Sequence, residues 1–338
     1  MTTSDPEMGV GELRRLRAAG LISARGYIAA SDAVRDEAFW ARWGRRALLA
    51  LGVGQFLAGV VFFFAYNWND LSDIGKFATI ETAVVIAAAG ALLAGIDRAF
   101  GQVLLIAASV LTGVLLAVIG QVYQTGADAF ELFVAWAVLI LPWAIVSRSA
   151  AHWLLWLIVA DVALALYGEQ VLTVVRAVTH GDIWVLVGAT VVVALALREI
   201  AVRKGHDWLA QHWMRLILLF AALAILFVPA VSHVLDIEDV GAAPLCLAAF
   251  ILVLIGSGWT YWRVMPDFAA LVIIVGLADA FFICLGYRAI DETIGFDFDD
   301  LAPALTGFGA MIIWAIAGTG SAALAMRHLR AGLREAQA

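Results

Sequence analysis

The sequence predicts an all-α fold, a polytopic membrane helix bundle of about ten transmembrane helices with both termini cytosolic. Three observations carry this expectation. Hydrophobic residues make up 64% of the 338 and charged residues only 14%, against about a quarter charged in an ordinary soluble domain. Apolar runs of roughly 18 to 24 residues, the length a bilayer core requires, follow one another from residue 47 to residue 326. The charges gather in the short segments between those runs, so the net charge of -7 is a property of loops. The lipid bilayer is therefore the first partner. Nucleic acid is excluded, because the arginines are shared among many short segments and form no single basic surface.

Residues 1–45 read as a cytosolic helical arm. Leu13, Leu16 and Ala19 recur at helical spacing beside Arg14, Arg15 and Arg17; Gly20 suits a stop, and Ser23 and Asp32 suit caps. Its second piece mixes Phe39, Trp40 and Trp43 with Arg35, Arg42, Arg45 and Arg46. That composition suits a helix at the headgroup level with its cations toward anionic lipid, and as a positive flank it also fixes topology. The arm lacks the apolar core and cleavage site of a secretory signal, so the first span is expected to act as its own insertion signal.

Ten spans follow, at 47–66, 77–96, 100–121, 130–147, 150–168, 182–200, 213–231, 242–262, 268–287 and 303–326. The first ends in Phe62 to Phe64, then Tyr66, Asn67, Trp68 and Asp70, rings that suit an interfacial belt and polar residues that suit a turn. The third carries Ser109, Gly113, Ala117 and Gln121 at intervals of four. Such a stripe of small side chains lets another helix approach closely, and it ends on an amide. Gly126 then permits a turn, Asp128 suits an N-cap, and Glu131 favours the positive start of the fourth span. Pro142 removes a backbone donor inside that span and can kink it. Only Ser147-Arg148-Ser149 separates the fourth span from the fifth.

Orientation follows from the basic residues, which cytosolic flanks hold in excess. With the amino terminus inside, all but Lys76, Arg176 and Arg288 of the 21 lysines and arginines fall on the cytosolic side. One miscounted span would invert every later loop, so the asymmetry supports number and direction together. The outer side is acidic, with Asp70, Asp73, Asp128, Glu169, Asp182, Asp236, Glu238, Asp239 and a run from Asp291 to Asp300. Its spacing does not match an EF-hand loop, and no metal is expected. A weak internal echo also stands out. Ala160-Asp161 precedes Gly168, and Ala278-Asp279 precedes Gly286 at the same offset. Spans three to six would then correspond to spans seven to ten, four apart and hence as a parallel repeat.

Three carboxylates lie inside spans: Glu81, Asp161 and Asp279. Each costs about 2.5 to 3.5 kcal/mol at a helix centre, and no span carries a central Lys or Arg to pair with them. Asp161 and Asp279 would form a proton or cation path, or would bond across to hydroxyls or amides such as Thr112, Gln121 or Thr190 and hold the bundle together. Glu81, nearer the outer end and close to Lys76, can snorkel. At the outer face, the turn does not account for Gln121, Tyr123 and Gln124. With Asp128, Glu131, Asn67 and Trp68 they are candidates for a ligand or partner. No His-Glu-x-x-His, P-loop or Gly-x-Ser-x-Gly pattern occurs, and His206 and His212 are six apart, off a common helical face. An enzyme is not expected, nor a cofactor. Cys246 and Cys284 lie in apolar runs and read as small buried residues.

The piece ending Ala19-Gly20-Leu21-Ile22-Ser23, the Gly54-Gln55 helix ending in Asn67-Trp68, and Gly120 to Gln124 through Trp136 and Leu141-Pro142 resemble the bacterial predicted membrane proteins called domain of unknown function 2157. The resemblance covers residues 11–150. It implies a protein of the bacterial cytoplasmic (inner) membrane and supplies no activity. It divides the chain into the arm 1–45, a family-like four-span part 46–147 and a six-span part 148–338. Two functions fit: proton-linked transport of a small solute through a polar cavity, toward which the echoing buried acids lean, and a non-catalytic envelope scaffold that binds another membrane protein.

Overall fold

The structure is a computed structural model that describes residues 71–124, 126–175, 178–237, 244–294 and 301–335, with isolated positions before 71. The first expected span, nearly all of the arm, and Asn67 lie outside the described residues. The chain divides into two units, residues 1–76 and 77–338. Among the described residues there is no strand, and nine helices are long and apolar enough to cross a membrane. They correspond to the second through tenth expected spans.

In chain order they are α1 (Asp73–Ala94), α2 (Ala99–Tyr123), α3 (Ala129–Ser147), α4 (Ala150–Tyr167), α5 (His180–Arg203), α6 (His212–Val234), α7 (Pro244–Trp259), α8 (Phe268–Thr293) and α9 (Leu301–Glu335). Two helices do not stop where the sequence suggested. α4 runs on into a π-helical turn, Gly168–Leu172, and α7 into another, Thr260–Val264. A single 3-10 turn, Asp207–Leu209, joins α5 to α6.

The first helix turns most of its large apolar side chains outward and small ones inward. α1 exposes Val85, Ile86, Leu92 and Leu93 and buries Ala87 and Ala91. This is the reverse of a soluble bundle. Lipid tails are as apolar as leucine, so helices gain by approaching closely over small residues. Elsewhere large side chains are buried too, Ile140 on α3, Phe250 on α7 and Leu271 on α8 among them, and most of all on α6, through Leu218, Leu219, Ala222, Leu223 and Leu226. α6 packs against α5, α7 and α8. There Phe250 of α7 meets Phe281 of α8 at 5.2 Å, with Phe227 of α6 beside both. A smaller core of Ala137, Ile140 and Val159 joins α3 to α4.

The stripe on α2 does what its spacing foretold at Ser109 and Gly113, both buried. The ring of Trp136 on α3 lies directly over Gly113, and its indole N–H donates to the Ser109 carbonyl at 2.8 Å. The same device recurs on α8 and α9. Trp314 covers Gly286 and donates to the Phe282 carbonyl at 2.9 Å, its ring stacked 4.6 Å from Phe282. In both places the glycine stands four residues after the accepting carbonyl. A helical N–H at that position already bonds the same carbonyl, and a side chain there would keep the indole off its second lone pair.

A Cβ at Gly113 or Gly286 would collide with its tryptophan, whereas nothing lies within 4 Å of Gly309. Gly113→Ala and Gly286→Ala should each destabilise by about 1–3 kcal/mol through overpacking. Gly309→Ala should instead gain up to about 1 kcal/mol in helix propensity. Melting of the purified variants in detergent reads both signs.

Candidate functional site

The deep acids come first. Asp161 on α4 takes a hydrogen bond at Oδ1 from the hydroxyl of Thr190 on α5, at 2.5 Å. The same hydroxyl lies 2.7 Å from the Val187 carbonyl. One hydroxyl proton thus faces two acceptors, one on its own helix and one on α4. Seven residues on, a Cβ at Gly168 would stand 2.7 Å from Ile183 of α5, so the chain stays close to α5 beyond Asp161. Asp279 on α8 differs. Its Oδ1 is buried without a hydrogen-bond partner, and it faces Gly318 of α9, where a Cβ would stand 2.7 Å away. Glu81 is exposed on α1, while Lys76 pairs with Asp73 at 3.5 Å and stands over the Trp68 ring at 5.6 Å.

The outer turn is divided among different tasks. Gln124 ends α2 in the left-handed region, φ 44°, and Gly126 follows at φ 63°. Asp128 occupies the N-cap position of α3 but its side chain caps nothing. The Phe130 N–H is taken instead by Gln170 Oε1, 3.2 Å away, from the π turn after α4. The turn therefore needs less from Asp128 than its place in the sequence implied. Gln124, Asp128 and Glu131 line a cleft of about 590 Å³ whose floor includes Ala117 and Gly120. Gln121 is exposed on the last turn of α2. Tyr123 turns to Phe77 of α1, stacking at 5.8 Å.

Two polar centres have no counterpart among the expected site residues. The first is a junction of α2, α3 and α4. His152, fully buried, places Nε2 2.8 Å from Ser109 Oγ. The serine hydroxyl donates to the Leu105 carbonyl at 3.0 Å, so its proton is engaged and His152 is the donor through Nε2–H. Nδ1 is then a bare lone pair, buried without a partner.

The second is an ion-pair cluster at the basic ends of α5, α6 and α8. Arg215 of α6 grips Glu199 of α5 with two parallel bonds, Nε to Oε1 at 2.8 Å and Nη2 to Oε2 at 2.9 Å, while its Nη1 donates to Asp267 Oδ2 at 2.7 Å. Arg198, 3% exposed, pairs with Glu199 at 2.6 Å and donates to the carbonyls of Leu209 and Gln211. Asp267 caps α8, its Oδ1 accepting from the N–H groups of Ala269 and Ala270, and His212 reaches its Oδ2 at 2.9 Å. The Tyr261 hydroxyl lies 3.4 Å from Glu199. Two guanidinium and two carboxylate groups balance, which makes the burial tolerable. Arg198 and Arg215 belong to the basic residues expected on the cytosolic side, and rather than facing headgroups they turn into the bundle, with side chains 3% and 19% exposed. Burial works against the charge on Asp267, but hydrogen bonds from Arg215, the Ala270 N–H and His212 outweigh it and hold its carboxyl below the usual carboxylate range.

No group of three or more metal-binding side chains occurs among the described residues. Cys246 is fully buried, its thiol donating to the Gly181 carbonyl at 3.2 Å, and Cys284 is half-buried.

Removing one partner of such a cluster leaves the others uncompensated, so Arg215→Ala should cost about 3–5 kcal/mol. Asp267→Asn should cost less, because Arg215 keeps Glu199. Because its folded pKa is depressed, the charge of Asp267 stabilises fully above the unfolded value of about 3.9 and the gain is lost as pH falls through the folded value. The difference in melting temperature between the unmutated protein and Asp267→Asn should therefore be constant from pH 7 to about 5 and shrink toward pH 3.

No curated protein and no solved structure matches the chain. Residues 14–153 match the family described as Predicted membrane protein (DUF2157), which takes in the Ser109, Trp136 and His152 junction and stops short of the ion-pair cluster.

Proposed function

We propose that this is a non-catalytic integral membrane protein that serves as a scaffold, with its intramembrane acids holding helices in register and its outer turn receiving a partner. The observation that carries the reading is Asp161, whose carboxyl is bonded to Thr190 of the adjacent helix beside a close glycine contact. Neither Asp161 nor Asp279 lines the clefts that open beside α2, α5 and α7. The cleft at Gln124, Asp128 and Glu131 supports the partner role, offering an amide and two carboxylates to a cationic or hydrogen-bonding surface of another membrane protein. The family match and the basic asymmetry support a bacterial inner-membrane location with both termini cytosolic.

A second reading, proton-linked transport of a small solute, draws on Asp279, whose buried and unpaired Oδ1 is the kind of group a proton path uses. Reconstitution into vesicles with a pH-sensitive dye separates the two. The scaffold reading expects proton flux at the empty-vesicle level, unchanged in Asp161→Asn and Asp279→Asn. Flux above that level, lost in either variant, would establish transport instead. For topology, a fluorescent protein fused after Ala338 should fluoresce, and alkaline phosphatase fused after Asp236 should be active; the opposite pair of results would reverse the orientation.

A further inference from the structure

Between α5 and α7, at the basic end of the bundle, lies a cleft of about 490 Å³, within the range of small-molecule sites. Its walls follow the helix axes, from Val192 to Arg203 on α5 and from Leu252 into the π turn on α7. The eleven helical steps from Val192 to Arg203, at about 1.5 Å each, make the α5 wall about 16 Å long, roughly half the hydrocarbon thickness. The cleft thus reaches from mid-span to the helix ends, as one acyl chain does. Ala196, Ile200, Leu252 and Gly256 are exposed along it, so it is open at the surface that lipid covers.

The polar groups of the lining lie toward the helix ends. Glu199 is held by Arg198 and Arg215 and touched by the Tyr261 hydroxyl, while Ser257 and Thr260 donate to carbonyls of their own helix. Arg203 differs. It is exposed, and among the described residues no carboxylate pairs with it, Asp207 of the following turn included. The neighbouring cluster of two guanidinium and two carboxylate groups is already balanced, so Arg203 adds an uncompensated positive charge at the end of an apolar groove. Basic pockets of this kind between membrane helices suit anionic head groups.

We propose that this cleft is a site for an anionic phospholipid, with one acyl chain lying between α5 and α7 and the phosphate at the membrane surface paired with Arg203. The inference rests on neither the scaffold nor the transport reading.

Native mass spectrometry of the purified full-length protein in detergent tests it with three probes. They are dioleoyl phosphatidylglycerol, dioleoyl phosphatidylcholine, which has the same chains and no net charge, and inorganic phosphate, which has the anion and no chain. Phosphatidylglycerol should bind saturably and about fivefold more tightly than phosphatidylcholine, the effect of one cation near the membrane surface, and phosphate should not displace it. Arg203→Gln should bring phosphatidylglycerol down to about the level of phosphatidylcholine. Ala196→Phe combined with Gly256→Leu, one from each wall, should weaken both lipids; Ala196 is exposed and nothing lies within 4 Å of a Cβ at Gly256, so both side chains enter open space. Melting curves report folding, and Arg203→Gln carries the test if the double variant unfolds. Equal binding of the two lipids, displacement by phosphate, an unchanged preference in Arg203→Gln, or unchanged lipid binding in a folded double variant would each overturn the proposal.

Discussion

The Arg215 guanidinium, held by both oxygens of Glu199 and by Asp267, joins three helices at the basic end of the bundle. A helix in an apolar medium satisfies its own backbone and nothing more, and apolar packing alone distinguishes poorly between one register and the next. A bidentate arginine does distinguish, because the fork accepts its carboxylate in one geometry. Arg198 extends the arrangement to the loop by donating to Leu209 and Gln211, and Asp267 extends it to the first turn of α8 through Ala269 and Ala270. Side-chain charge, backbone carbonyls and helix N–H groups are thus answered within one cluster, around the helix with the longest buried face. Such clusters are weak sources of net stability. Their effect is to make other registers of α5, α6 and α8 costly, since a one-turn slip would strand a charge.

The tryptophan and glycine pairs do the corresponding task where no charge is present. Trp136 over Gly113 and Trp314 over Gly286 each combine a wide ring contact with one directional bond to a carbonyl. The ring supplies area and the N–H supplies register. Asp161 and Thr190 form a third kind of junction, side chain to side chain, next to the Gly168 contact with Ile183. Each of these adjacent helix pairs thus contains a close approach over a small residue and a directional polar bond between the two helices.

Fold class and the positions of the second through tenth spans were legible because length and apolarity alone determine what crosses a bilayer. The stripe at Ser109 and Gly113 was legible because a helix repeats its faces at a fixed interval, and Thr190 was among the partners expected for a buried acid. The ion-pair cluster was not legible. Glu199, Arg215 and Asp267 are far apart in the chain, and an arginine at the end of a span looks the same whether it faces a headgroup or a buried glutamate. The adjacent charges Arg198-Glu199 inside an otherwise apolar helix were the available signal. His152 was passed over for a similar reason, since a lone histidine at the start of a span says nothing of a serine on another helix. At the outer turn the sequence grouped residues by proximity, but helix rotation parted them. Tyr123 went to Phe77 while Gln124 went to the cleft.

The distribution of satisfied and unsatisfied groups is itself informative. At the basic end every charge of the cluster has a partner, and at Asp161 the neighbouring helix supplies one. Three buried atoms among the described residues do not: His152 Nδ1, Trp153 Nε1 and Asp279 Oδ1. They differ in what would satisfy them. The histidine nitrogen and the carboxyl oxygen accept, so a donor meets the need of either, whereas an indole N–H can only donate and requires an acceptor. Of the three, Trp153 alone lines one of the clefts described here. His152 and Asp279 sit instead against packed helices, His152 facing Ser109 of α2 and Asp279 facing Gly318 of α9, so each closes a helix contact and opens on none of these clefts.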